Sequence, residues 1–382
     1  MKRILIITLE YPPQVGGIAT YTHQIAQNLD PNQVVLYAPV MKNTKDWDER
    51  QKYKIIRKKP LFPVFVWPRW LRMFFQIRKI VKQEKIEVII INHILPVGYV
   101  CWLIKKFLGI PYIVISHGTD VLYGSRNTWK VNMMRKVVEK SEQIIFNSVS
   151  LRYRFLIVLP EFESKSSVMY PCPDPDFLEE PPKEKIDKLR SQLALEGKRV
   201  LLSVGRLDEG KGFPHIIRTL PKLLKRDPHV VWVIIGDGPK KQEILNMIQK
   251  KSLQNVVRYI GEVPYEDLKI YYYLADLFVL LTHPDEGREE GLGMVFLEAA
   301  AAGLPVVAGK SGGVEEAVLH TKTGIVVDVF QEARQIESII FDLLSNHIFA
   351  LQLGKNAKER IRQDFQWPKQ LKKLEPWIGD VK

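Results

Sequence analysis

Short, almost wholly apolar runs recur along this chain, separated by longer stretches whose apolar residues fall at helical spacing. In the first half they occupy 4–9, 34–38, 88–92, 112–116, 143–147 and 167–169. In the second half they occupy 199–204, 231–236, 256–260, 277–282, 306–309 and 324–327. Runs of this length without alternation are what strands covered on both faces look like, and their alternation with helices predicts parallel sheets in doubly wound α/β domains. Between the two sets lies Tyr170-Pro-Cys-Pro-Asp-Pro-Asp176, followed by a polar stretch to Lys198. The proline-rich segment reads as a linker, so the pattern predicts two Rossmann-like halves, 1–170 and 171–364. A tail from Phe365 to Trp377 is predicted to be helical beyond Pro368.

The residues just beyond three strands of the second half carry the candidate chemistry. Val204-Gly-Arg-Leu-Asp-Glu-Gly-Lys-Gly212 follows the strand at 200–204. Glu290-Gly-Leu-Gly-Met-Val-Phe-Leu-Glu-Ala299 follows the strand at 277–282, and Ser311-Gly-Gly-Val-Glu-Glu316 follows 305–308. In open α/β sheets ligands bind beyond the carboxyl ends of the strands, so three such exits on one sheet edge define one pocket. Glycine lets backbone N–H groups approach an anion, and a helix N-terminus adds roughly half a unit of positive charge. Glu290 precedes the helix and Glu298 is expected about two turns into it. The two carboxylates would bracket a diphosphate and accept hydrogen bonds from a sugar on one side and a ribose on the other. Arg206 and Lys211 supply cations where a departing diphosphate develops charge; the alternative is that they pair with Asp208 or Glu209. Ile235-Gly236-Asp-Gly-Pro239, a fourth exit, is expected to shape the pocket together with Gly205.

These motifs resemble the donor-site signatures of glycosyltransferase family 4: VGRLDEGKG, EGLGMVFLEAAAAGLPVVAG and GGVEEAV. Upstream, YPPQVGGIATY at 11–21 and SHGTD at 116–120 resemble that family's glycine loop and its HG-x-D/E segment. The order and spacing of all five agree over nearly the whole chain, and the EGLG form preceded by Arg288-Glu289 looks most like the branch of bacterial phosphatidylinositol mannoside mannosyltransferases. The resemblance implies the GT-B fold: two Rossmann-like domains facing across a cleft, acceptor bound by the first and nucleotide sugar by the second, with 365–382 crossing back onto the first. It implies retention of anomeric configuration by front-face attack, with domain closure bringing donor and acceptor together. Arg206 and Lys211 would contact the distal phosphate, and Glu298 the ribose hydroxyls. Glu290 would face the sugar ring, while Leu292, Gly293 and Met294, beside Gly291, offer backbone amides. Glu316 takes the supporting place of the G-G-x-x-E glutamate. On the first domain, Gly16 and Gly17, read as ending the first strand, would allow close approach of backbone to phosphate or sugar. His117 would bond the transferred sugar, with Asp120 nearby.

Composition narrows this picture. The chain has 382 residues with 46% hydrophobic content, ample for two cores. No window offers eighteen uncharged apolar residues, and the apolar start ends at Glu-Tyr-Pro-Pro without a cleavage signature, so it reads as a strand and not a leader. Two cysteines make neither a disulfide framework nor a metal set, and a reducing cytoplasm is expected. No cofactor or metal is expected, because Asp46-Trp-Asp48 and Asp174-Pro-Asp176 follow no convincing strand.

Charge is unevenly divided. Residues 1–170 hold 26 Lys and Arg against 12 Asp and Glu, whereas the remainder holds 30 against 31. Arg50 to Lys82 carries eleven basic residues and no acidic one, interleaved with Phe62, Phe65, Trp67, Trp70, Phe74 and Phe75. That composition suits peripheral binding to an anionic membrane, on the inner face of the cell membrane, through 50–82. Single-stranded nucleic acid would also suit it, but no nucleic-acid motif accompanies it. The activity that the resemblance implies is transfer of a hexose, GDP-mannose leading UDP-hexose as donor, to a lipid-linked or cell-envelope glycan. An NAD-dependent oxidoreductase is the alternative enzyme, opposed by the absence of G-x-G-x-x-G after the first strand. A non-catalytic protein of the same fold is the other alternative.

Overall fold

The computed structural model describes residues 1–14, 16–42, 44–125, 127–332 and 334–381; the side chains of Thr119, Asp120 and Tyr123 lie outside the described residues. Seven strands make the first sheet: β1 Ile4–Ile7, β2 Val34–Pro39, β3 Lys54–Lys58, β4 Val88–Ile91, β5 Tyr112–Ser116, β6 Gln143–Phe146 and β7 Ser166–Val168. Six make the second: β8 Arg199–Val204, β9 Val230–Ile235, β10 Val257–Gly261, β11 Leu277–Leu280, β12 Val306–Gly309 and β13 Ile325–Val327. Every pairing is parallel.

Strand orders are β3-β2-β1-β4-β5-β6-β7 and β10-β9-β8-β11-β12-β13. Both are doubly wound, and each reverses direction once, between β1 and β4 in the first sheet and between β8 and β11 in the second. At such a reversal the helices on either side leave to opposite faces, which opens a crevice at the carboxyl edge.

All twelve apolar runs form strands. The thirteenth, β3, was not expected: its sequence Lys-Ile-Ile-Arg-Lys is mostly charged and lies inside the basic segment. As the outermost strand of its sheet it needs little burial, and lysines at an edge discourage pairing with other chains. The core of the first unit packs Ile and Val of the central strands against Met73, Ile77, Val100, Ile104 and Val137 of the covering helices.

By contact the chain separates into two compact units, Met1–Pro171 with Gln366–Lys382, and Cys172–Phe365. The tail belongs with the first unit for identifiable reasons. Trp367 is buried, its indole N–H donates to Gln24 Oε1 at 3.2 Å, and its ring lies 5.5 Å from that of Tyr21. Lys2 N–H donates to the Ile378 carbonyl at 2.7 Å. The tail helix opens at Trp367 itself, with Pro368 in its first turn, where a missing N–H costs nothing.

Candidate active site

At the switch point of the second sheet, backbone contacts knit four strand exits together. Gly205 N–H donates to the Ile235 carbonyl, Leu207 N–H to that of Asp237, and His283 N–H to that of Gly210, each at 3.0 Å. Gly236 has φ +131°, and a Cβ there would stand 2.1 Å from the Gly205 carbonyl oxygen, so only glycine admits this approach. The Ser311–Gly313 turn then grips Glu290. Glu290 N–H donates to Ser311 Oγ at 3.1 Å, and Gly313 N–H donates to the Glu290 carbonyl at 3.0 Å.

Held in this way, the Glu290 carboxylate forms an ion pair with Lys211 Nζ, both side chains largely buried at 18% and 26% exposure. Lys211 comes from the β8 exit and Glu290 from the β11 exit, so the pair spans the crevice that the reversal creates. Arg206 is different: its side chain is 69% exposed and its Nε is 3.6 Å from Asp208, a loose pair that leaves the guanidinium able to meet a ligand. Glu209 pairs with Lys240 at 3.0 Å and not with Lys211.

The helix Met294–Ala302 begins here, with Gly293 as its cap at φ +88° and Leu292 buried just before it. The first N–H groups of a helix have no partner within it, which suits an anion. Glu298 is the fifth residue of this helix, so it stands about one turn in, not two. It is 3% exposed, and the Tyr272 hydroxyl donates to its Oε2 at 2.7 Å. Burial pushes its carboxyl up to about 7, partly opposed by the hydrogen bonds from Tyr272 and Tyr265. The two glutamates therefore have unlike environments: Glu290 is charged against a lysine, whereas Glu298 sits within a tyrosine-lined interior. Tyr272, on the helix Tyr265–Leu274, had no local signature, because it meets Glu298 only through helix packing. Glu316, in the short helix Val314–Ala317, has its carbonyl held by Arg360 Nη2 at 2.7 Å; Gly291 lies in the bend before Gly293.

In the first unit, β1 runs out into the loop holding Gly16 and Gly17. Those glycines do not end the strand: Gly16 caps, and Gly17 opens, the helix Gly17–Gln27. His117 follows β5 directly. Its ring meets the edge of Tyr21 at 5.4 Å, and its buried Nε2 has no hydrogen-bond partner among the described residues. Burial, and then the neighbouring His93, push its pKa down to about 3, so it is neutral at working pH. Gly118 takes φ +97°, and a Cβ there would lie 2.9 Å from the Leu151 side chain. Asp120 lies in the helix Thr119–Ser125, but its side chain is outside the described residues.

Both Asp-x-Asp triplets are engaged structurally. Asp48 holds Arg57 at 2.8 Å, Asp174 accepts from Asp176 N–H at 2.9 Å, and Asp176 pairs with Lys269 at 2.7 Å. Among the described residues no three His, Cys, Asp or Glu side chains gather to hold a metal.

A family model described as "Glycosyl transferases group 1" matches residues 185–360, and one described as "Glycosyltransferase Family 4" matches residues 15–177. The GDP-mannose-dependent alpha-(1-6)-phosphatidylinositol monomannoside mannosyltransferase of Mycobacterium tuberculosis is 26% identical, over 100% of this chain and 99% of that protein. The corresponding monoacylated-substrate enzyme of Corynebacterium glutamicum is 25% identical over 96% of this chain and 95% of its own. Among solved structures, Anabaena HepE in complex with UDP superposes with a TM-score of 0.83 at 19% identity, covering 98% of this chain and 99% of that one. WaaG, a glycosyltransferase involved in lipopolysaccharide biosynthesis, gives 0.73 at 17% identity over 99% and 100%. At these identities the structures speak for the fold alone.

Proposed function

This chain belongs to the family 4 glycosyltransferases of GT-B fold, and on that premise we propose that it moves mannose from GDP-mannose to a lipid-linked or cell-envelope glycan acceptor. It is a hexosyltransferase that uses a nucleotide sugar; donor base, sugar and acceptor are what the proposal adds. The observation that carries it is the Lys211–Glu290 pair at the switch point, beside a glycine-capped helix N-terminus and an exposed Arg206. A nucleoside diphosphate fits this chemistry: Arg206, Lys211 and the amides of Leu292, Gly293 and Met294 meet the phosphates, Glu290 the sugar and Glu298 the ribose. Mannose and a phosphoinositide-type acceptor are favoured because the full-length relatives are named for them. UDP-glucose is the second donor to try.

On this reading the first unit binds the acceptor, and His117, neutral with an Nε2 unpartnered among the described residues, contributes a hydrogen bond to a sugar hydroxyl. The glycine loop offers backbone at Gly16 and Gly17, and Asp120 supports. Leaving-group charge is met by Arg206, Lys211 and helix amides without a metal. The departing phosphate takes the acceptor's proton on the face it leaves, so configuration is retained. Incubating the enzyme with labelled GDP-mannose, UDP-glucose and a lipid extract tests this directly; no transfer from any nucleotide sugar would refute it.

Membrane association is proposed for a surface larger than the sequence pattern indicated. Phe65 and Trp67, between β3 and the helix Leu71–Gln83, are 84% and 87% exposed, and Phe75 and Phe107 project from neighbouring helices. Lys58, Lys59, Arg72, Arg78, Lys79 and Lys82 flank them in sequence, each worth on the order of 1 kcal/mol near an anionic surface. Not every basic residue of 50–82 is free for this: Arg57 is held by Asp48, and Lys54 pairs with Glu84 at 2.7 Å. Among the described residues no single helix is long and apolar enough to cross a membrane. Flotation with anionic vesicles, lost with neutral ones and weakened in Phe65→Ser/Trp67→Ser, is the expected result.

A further inference from the structure

The glycine loop opens on two residues that lack a backbone donor. Pro12 and Pro13 have no N–H to donate, and among the described residues the turn bond within 11–17 is a long one, Gln14 N–H to the Tyr11 carbonyl at 3.3 Å. Its anchor comes from elsewhere. Arg57, on the edge strand β3, has a side chain only 8% exposed, and its Nη2 donates to the Pro12 carbonyl at 2.5 Å. Its Nη1 donates to the Pro39 carbonyl at 3.2 Å, at the end of β2. Its Nε and Nη2 meet the two oxygens of Asp48 at 2.8 Å each, a fork that fixes the plane of the guanidinium. That plane stands 5.5 Å from the Tyr11 ring centre. On the far side, the buried Tyr11 hydroxyl bonds that of Tyr53, and Tyr53 bonds His23 Nδ1 at 2.9 Å. One guanidinium thus ties the exits of β1, β2 and β3 into a single body.

We propose that Arg57, with Asp48 orienting it, is the positioning residue of the glycine loop, setting the Gly16 and Gly17 backbone at the distance substrate requires. This rests on the glycine loop meeting substrate, as proposed above. Arg57 acts through the Pro12 carbonyl and touches no reacting atom. A simple structural pair would affect folding alone. A positioning pair affects substrate binding in a protein that is still folded, because misplacement of about 1 Å costs on the order of 10²-fold.

The test uses full-length Arg57→Met, Arg57→Lys and Asp48→Asn, with melting temperature, kcat and KM for GDP-mannose or UDP-glucose, whichever wild type turns over, and for the acceptor. Hydrogen exchange of the Gln14 and Thr20 amides, the latter bonded to the Gly16 carbonyl at 3.0 Å, is followed alongside. Arg57→Met is expected to keep its second unit folded, to raise KM for donor or acceptor about tenfold or more, and to speed those two amides about tenfold. Arg57→Lys should recover part of KM, since an ammonium reaches one carbonyl but cannot fork, and Asp48→Asn should fall between. A folded Arg57→Met with kcat and KM within about twofold of wild type and unchanged exchange would overturn the proposal; should that variant not fold, Arg57→Lys and Asp48→Asn decide by the same criteria. Wild type inactive on every nucleotide sugar, with exchange altered as expected, would instead sink the glycosyl-transfer reading and leave the anchor standing.

Discussion

Lys211 and Glu290, 79 residues apart in sequence, form a direct ion pair across the switch point of the second sheet. Lys211 passes over Asp208 and Glu209, both nearer in sequence, to reach it. A charge pair poised over a helix N-terminus can exchange partners when a diphosphate arrives, with the ammonium turning to phosphate and the carboxylate to sugar hydroxyls. We expect Lys211→Ala and Glu290→Ala each to lower kcat/KM by about 10²–10³-fold. The double variant should lose less than the product of the two, because each single change already breaks the shared interaction. Additive losses in steady-state kinetics would mean the two residues serve separate purposes.

Glu298 gives a pH signature. Its folded pKa, about 7, stands above the ordinary carboxylate value, so the folded state holds this proton more tightly than the unfolded chain. The stability it contributes is complete below pH ~4, declines as pH rises and is lost once pH passes about 7. Glu298→Gln carries no charge, so its melting temperature should gain on wild type progressively from pH 5 to pH 8. If ribose hydroxyls donate to the ionised form, donor KM of wild type should fall as pH rises through about 7, and that limb should be absent in the variant. Parallel melting curves at all pH values would contradict the burial argument.

His117 should behave in the opposite sense. Its folded pKa of about 3 lies below the ordinary imidazole value, so the unfolded chain binds the proton better. Stability from this group is present above pH ~6.5 and lost as pH falls toward 3. His117→Gln, uncharged throughout, is expected to resist acid unfolding better than wild type while losing about tenfold or more in kcat/KM. Nuclear magnetic resonance of the imidazole would settle the point; a titration midpoint near 6.5 would exclude a buried neutral ring.

Two glycines separate backbone freedom from site geometry. Gly312 has φ +52°, and a Cβ there would lie 2.2 Å from the Glu290 carbonyl oxygen, whereas Gly109, at φ +71°, faces open space. Gly109→Ala should cost about 1 kcal/mol of stability and no activity. Gly312→Ala must push Glu290 aside, so it should lose activity by about 10²-fold as well as stability. Equal kinetics in the two variants would detach the Gly312 turn from the chemistry.

Metal dependence can be checked simply. With Asp48 committed to Arg57 and Asp176 to Lys269, activity is expected to survive excess chelator. Loss with EDTA and recovery with manganese would contradict charge stabilisation by Arg206, Lys211 and helix amides.

Much of this protein was legible before folding because the relevant information is local. Strands covered on both faces announce themselves as unbroken apolar runs, and glycines at strand exits mark where backbone must come close, so both sheets and the Arg206–Gly212, Glu290–Glu298 and His117–Gly118 segments could be located from residue order. The edge strand β3 could not, since an edge needs little burial and its lysines mimic a surface loop. Nor could the pairings: Lys211 with Glu290, Arg57 with Asp48 and Pro12, Glu298 with Tyr272. The sequence by itself determined which covered strands form and where polar chemistry collects at their ends. Tertiary structure alone decided which charges meet, because strand order brings distant exits side by side, and it decided that one glutamate faces a lysine while the other is enclosed among tyrosines.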